Sequence, residues 1–132
     1  MKYDFVAIGD IVNDTFIELS EKDARVTCDA DGRACTLSMN FGEKLPYKNV
    51  VIVNAVGNSP NASVSAHRLG LKTALYANIG HDRGGKECLE SLRREGVATD
   101  FLIQHEGKTT NSHYILRYGA ERTILIKHEE FA

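Results

Sequence analysis

The stretch from Val56 to Gly85 constrains this chain most. A Gly-polar loop, a helix, a buried-looking strand and a second Gly-rich turn follow one another without a linker. The two loops are Val56-Gly57-Asn58-Ser59-Pro60-Asn61 and Ile79-Gly80-His81-Asp82-Arg83-Gly84-Gly85, and both stand at junctions of a strand–helix alternation. Open α/β sheets hold their ligands at such junctions.

The flanking segments extend the alternation. Phe5-Val6-Ala7-Ile8 is a short continuous apolar run ending at Gly9-Asp10, which predicts a strand buried on both faces. Ile11 to Leu19 alternates in part and reads as a second extended segment. Val26-Thr27-Cys28 and Cys35-Thr36-Leu37-Ser38-Met39 flank Asp31-Gly32, a type I′ hairpin signal. With Val50-Val51-Ile52-Val53 they predict an antiparallel flap, inserted over roughly residues 15–56. Ser59-Pro60 reads as a helix start, Ser capping and Pro at the first helical position. Ala62, Ala66 and Leu69 share a helical face, and Gly70 ends that helix. Thr73-Ala74-Leu75-Tyr76-Ala77 is the next strand. A second helix opens at Gly84 or Gly85 and runs through Glu95, with Cys88, Leu89 and Leu92 as its stripe and Glu90–Arg94 as an i,i+4 pair. Phe101-Leu102-Ile103 and a hairpin, Ser112 to Tyr118 with Arg122 to Lys127, follow. The expected fold is α/β, a mainly parallel sheet covered at one end by the flap.

Size allows one domain: 132 residues can bury a core. A net charge of −2, with acids and bases interspersed, excludes the electrostatic footprint of a nucleic-acid or anionic-membrane binder. No apolar run approaches a membrane span, and no signal-peptide layout precedes Phe5. Three cysteines without a CxxC fit a reduced, cytoplasmic setting with buried thiols. A Cys28–Cys35 bridge across the flap hairpin would need an oxidising one.

Chemistry concentrates in few places. Asp14, just beyond the first strand, either accepts hydrogen bonds from ligand hydroxyls or satisfies turn amides. Gly57 allows close backbone approach, while Asn58 and Asn61 offer donors and acceptors suited to polyols; a solvated capped loop is the alternative. No GxxxxGK[ST] phosphate loop is present, and Gly9-Asp10-Ile11-Val12 lacks GxGxxG. The Gly80–Gly85 turn has the form of an anion site, but Asp82 would repel an anion and reads better as a helix cap. His128-Glu129-Glu130 lacks metal-site spacing, and no nucleophile motif occurs. These residues predict a hydroxyl-recognition pocket with no catalytic residue and no metal site.

Ile8-Gly9-Asp10 through Asp14, Gly57 with Asn61, Leu69-Gly70-Leu71-Lys72 and Gly80-His81-Asp82-Arg83-Gly84-Gly85 together resemble the N-terminal part of the PfkB (ribokinase-like) carbohydrate kinases. Thr109-Thr110-Asn111-Ser112-His113-Tyr114 with Glu121-Arg122-Thr123 resembles the family's strand pair after the second helix. Val56 stands where the family usually has the first of two glycines, and Asn58 where its members vary. The resemblance implies ribokinase-like α/β/α layers, with a lid and with the C-terminal half absent. It also implies transfer of the ATP γ-phosphoryl group to a sugar hydroxyl with Mg²⁺. Asp14, Gly57, Asn58 and Asn61 are then the expected sugar contacts. The family's catalytic base and anion hole lie in a Gly-Ala-Gly-Asp motif that has no match here, and its adenine-binding half has none either, so the chain alone is expected not to catalyse the transfer. A sheet cut at this point leaves an open edge, which predicts a homodimer through the flap or a missing partner half. A non-catalytic binding or dimerisation module is the alternative.

Overall fold

A computed structural model describes residues 2–131. In chain order the elements are β1 (Phe5–Ile8), β2 (Val12–Leu19), β3 (Ala24–Cys28), β4 (Cys35–Met39), β5 (Tyr47–Val56), α1 (Asn58–Arg68), β6 (Thr73–Gly80), α2 (Arg83–Arg94), β7 (Leu102–His105), β8 (Ser112–Tyr118) and β9 (Glu121–Lys127). They form a three-stranded sheet β1-β6-β7, a four-stranded sheet β5-β2-β8-β9 and the two-stranded hairpin β3-β4. The first sheet is wholly parallel, and β2 pairs β8 in parallel as well. The expected α/β order is therefore present, with β8 and β9 joined to β2 rather than to the β1-β6-β7 sheet.

β6 lies between two strands, and all its residues but Tyr76 and Asn78 are buried. Its near-continuous run of small and apolar residues fits that central place. Around it Ala7, Ile11, Leu75, Ala77, Ile79, Cys88, Leu92 and Val97 form the core. α1 packs on β1 and β6, and α2 on β5 and β6. Cys88, Leu89 and Leu92 do form the α2 stripe, with Leu89 only partly buried.

Several local expectations are corrected. β1 is an edge strand with one uncovered face, so Val6 and Ile8 remain 43% and 73% exposed instead of buried. Gly57, not Ser59, is the α1 N-cap, because the Ser59 hydroxyl instead donates to the Ile8 carbonyl at 3.0 Å. Leu69 is the C-cap of α1 and is 84% exposed; the buried side of the helix runs through Pro60 and Ser63. Glu90 faces Lys86 at 3.9 Å rather than Arg94, while Arg83 pairs with Glu87. The β3–β4 turn is not type I′, since Gly32 has positive φ and Asp31 does not. Asp29 closes it, its carbonyl accepting from the Gly32 amide and its carboxylate from the Arg33 amide.

Cysteine usage also departs from three buried thiols. Cys28 and Cys35 face each other across the β3–β4 register, are exposed, and are joined by a disulfide. Only Cys88 is free and buried, and burial pushes its thiol up to about 11.

Candidate functional site

The site forms where β1 ends, β2 begins and α1 starts. Gly57 takes φ +121°, a backbone conformation open to glycine, and a Cβ there would stand 3.1 Å from the Asp10 carbonyl oxygen. The chain thus turns tightly past the end of β1 and delivers Asn58 and Ser59 to the same place as Asp10 and Asp14. Asp10, Val12, Asp14, Gly57, Asn58, Ser59, His113 and His128 line a cavity of about 360 Å³.

Asp14 sits on β2 between Val53 of β5 and His113 of β8. Its buried Oδ1 accepts no hydrogen bond from the described residues, although His113 Nδ1 lies 3.3 Å away. A buried carboxylate oxygen in this condition is an open acceptor, because desolvation without a partner is costly. On the opposite wall no side chain caps α1, so its first-turn amides have no local side-chain acceptor. Acceptors therefore face donors across one small cavity. With two carboxylates on its lining it suits a neutral hydroxyl-rich ligand and repels a phosphate.

Three of the four expected contacts, Asp14, Gly57 and Asn58, come together here. Asn61 does not line this cavity. It lies on a neighbouring one of about 460 Å³ with Asn54, Ser65, Arg68, Ser91 and Glu95. Arg68 and Glu95 meet at 2.7 Å and tie the end of α1 to the end of α2.

Behind the cavity lies a polar scaffold that sequence reasoning missed. Asn13 is buried: its Nδ2 donates to the Gly84 carbonyl at 3.0 Å, and its Oδ1 accepts from the Ala55 amide and the Cys88 thiol, both at 3.1 Å. One side chain thus links β2, β5 and α2. Ala55, held by that bond, has φ +58°, an unusual conformation for a residue with a Cβ. In the sequence Asp14 stands out as a carboxylate, while the adjacent Asn13 carries no signal beyond that adjacency.

The second glycine turn is closed from within. Asp82 caps α2 as expected, accepting from the Gly85 amide at 2.8 Å and from the hydroxyl and amide of Thr110 at 2.6 and 2.9 Å. Burial alone would raise the Asp82 carboxyl, but the Thr110 and Gly85 hydrogen bonds outweigh it and hold the group below its usual range. The Gly80 amide is taken by the Thr110 hydroxyl and the Lys86 amide by the Asp82 carbonyl. A Cβ on Gly85 would fall 2.1 Å from the Gly80 oxygen, so this packing requires glycine. The turn is held from within, with its Gly80, His81, Gly85 and Lys86 amides engaged. The signal for Thr110 and Asn111 was their place in a polar run ahead of an alternating strand.

Among the described residues no cluster of three metal-ligating side chains occurs, and no helix is long and apolar enough to cross a membrane.

Comparison with known proteins agrees with this architecture. Residues 10–131 match the pfkB family carbohydrate kinases. An uncharacterized sugar kinase of Archaeoglobus fulgidus is 37% identical over 59 residues, 45% of this chain and 24% of that protein. Ribokinase of Bacillus subtilis is 30% identical over 73 residues, 54% of this chain and 25% of its own length. Among solved structures, Arabidopsis thaliana ribokinase complexed with ribose and ATP superimposes with a TM-score of 0.73 at 20% identity, over 96% of this chain and 36% of that one. Halothermothrix orenii fructokinase gives 0.60 at 24% identity, over 94% and 37%. The chain therefore spans about a quarter of the curated relatives it matches and about a third of its structural neighbours. A match this long, together with a ribokinase-like fold and a hydroxyl-suited cavity at the sheet junction, means that the chain belongs to the pfkB family of carbohydrate kinases.

Proposed function

We propose that this chain is the sugar-binding and lid portion of an ATP-dependent carbohydrate kinase. The observation that carries the reading is the convergence of Asp14, Gly57 and Asn58 on one cavity, with the buried Asp14 Oδ1 accepting no hydrogen bond from the described residues and only His113 Nδ1 near it, at 3.3 Å. Asp14 would accept a sugar hydroxyl, Asn58 would donate and accept, and Gly57 would let the backbone close on the ring. Asn61, on the neighbouring cavity, would support the loop from behind. The sheet β5-β2-β8-β9 would act as the lid that excludes water from the sugar.

ATP does not fit the residues present. Two glycine turns precede helices: the Gly80–Gly85 turn has its Gly80 and Gly85 amides engaged by Thr110 and Asp82 and carries the Asp82 charge where a phosphate would sit, and the Gly57 turn faces the carboxylates of Asp10 and Asp14. No phosphoryl-transfer step therefore follows from this chain's own groups, and nucleotide and Mg²⁺ would be held outside it.

A second reading, a non-catalytic binding or dimerisation module, is favoured by the apolar residues that the lid leaves exposed, including Ile52 at 62% and Ile126 at 66%. A second copy or the remainder of such a kinase would cover them.

Calorimetric titration with ribose, fructose and Mg²⁺–ATP tests the proposal, with mass in solution recorded. Saturable sugar binding that Asp14→Asn weakens at least about tenfold, without nucleotide binding, is the expected result. Sugar binding unaffected by Asp14→Asn would overturn the site. A dimer that binds neither ligand would favour the second reading.

A further inference from the structure

His113 projects from β8 beside Asp14, and His128 follows the end of β9. The His113 Nε2 and His128 Nε2 atoms are 3.0 Å apart, and the two ring planes differ by only 10°. The ring centres are 5.2 Å apart. Each nitrogen lies about a bond length from its ring centre, so a contact this short places both nitrogens nearly on the line between the centres. The rings meet edge to edge in one plane, as in an N–H···N hydrogen bond, and do not stack face to face. A metal ion has no room between nitrogens that point at each other at this distance.

We propose that His113 and His128 are a positioning pair for Asp14. They share a proton on the ring edge turned away from the carboxylate contact, and sugar binding weakens when both rings are charged. The inference rests on the sugar-site reading of the Asp14 cavity. With His113 carrying its proton on Nδ1, toward the open Asp14 Oδ1, its Nε2 accepts from the Nε2–H of His128. Adding one proton reverses that bond but keeps it: His113 then donates and His128 accepts from its other tautomer. Adding a second puts two N–H groups head to head. The contact then breaks, and the exit of β9 separates from β8 at the rim of the site.

The groups around His113 leave this pair as the element that changes. From β2 it faces Asp14, and Asp10 lies across the cavity. From the far side come His128, Lys127, whose ammonium is turned to the Thr109 hydroxyl, and Glu129, whose carboxylate meets Thr109 and Lys108. Glu130 lies exposed beyond, and α1 presents the neutral Asn58 and Ser59.

Long-range ¹⁵N–¹H NMR of the imidazoles in the 132-residue chain, from pH 8 to pH 5, tests the pair without any ligand. The expected result at pH 8 is His113 in its Nδ1–H tautomer and His128 in its Nε2–H tautomer, with His128→Ala moving the His113 Nε2 resonance as that nitrogen loses its hydrogen bond. An Nε2–H tautomer at His113, or a His113 Nε2 resonance unchanged by His128→Ala, would overturn the pair. Ribose and fructose titrations follow on the same samples. The dissociation constant is expected to rise roughly 5–10-fold from pH 8 to pH 5, while His128→Gln, which keeps a donor but no titrating proton, binds with a flat pH profile. A wild type that binds with no pH dependence overturns the gating role. Tautomers as expected with no sugar binding overturn the positioning role by removing the sugar-site reading. Binding without the tautomer signature overturns the pair and leaves that reading standing.

Discussion

β6 and β9 both carry branched apolar residues, yet the fold treats them oppositely. β6, flanked by two strands and covered by helices, has Leu75 and Ile79 fully buried. β9 is the edge of the four-stranded sheet and exposes every residue, Ile124, Leu125 and Ile126 included. β6 is therefore held by side-chain burial, whereas β9 is held mainly by its main-chain ladder to β8. The candidate site lies on the seam between the two sheets, with Gly57 and Asn58 at the start of α1 and Asp14 and His113 on β2 and β8.

The largest effect should come from β6. Ile79→Ala is expected to lower the unfolding free energy by about 2–5 kcal/mol, read as a shifted urea midpoint. A loss under about 1 kcal/mol would break the comparison, since Ile79 is completely buried in the core.

Next comes the Asp82 hub. Asp82→Asn should cost about 1–3 kcal/mol near pH 7 by weakening the bonds to Thr110 and Gly85. Because the folded carboxyl titrates below its unfolded value, its stabilisation is present above about pH 4 and is lost as pH falls through the folded value. Urea midpoints of wild type and variant should therefore converge in acid; a constant gap down to pH 2 would contradict the assignment.

How legible this was differs between the two regions for the same reason. The order of elements, the Asp82 cap and the Cys88-Leu89-Leu92 stripe follow from local patterns that burial reinforces. The misreadings fall where tertiary context overrides a local signal. Ser59 has the chemistry of a cap, but Ile8 offers its hydroxyl another partner. Val6 and Ile8 look like a doubly buried strand, but β1 is an edge. Asp14, Gly57 and Asn58 could be picked out by residue type and position. Asn13, Thr110 and the His113–His128 contact depend on pairings between distant segments, which no spacing along the chain encodes.

On the exposed strands β3, β4 and β9, smaller and local effects are expected. Reducing Cys28–Cys35, or replacing both by Ser, should speed hydrogen exchange over Ala24–Met39 and leave β6 protected. The hairpin buries only Ala24 and is otherwise held by its ladder and the bridge. Loss of β6 protection on reduction would join the two regions into one cooperative unit. Smallest of all, Ile126→Ser should change the urea midpoint by no more than about 0.5 kcal/mol equivalent. If it also abolishes self-association seen by sedimentation, the β9 face is where copies meet.

The most direct test of the seam as a sugar site is a backbone amide NMR titration with ribose and fructose. The account predicts saturable shifts concentrated at Asp14, Gly57, Asn58 and His113, with the Gly80–Gly85 turn unmoved. Shifts centred on that turn, or no saturable shift with either sugar, would contradict it.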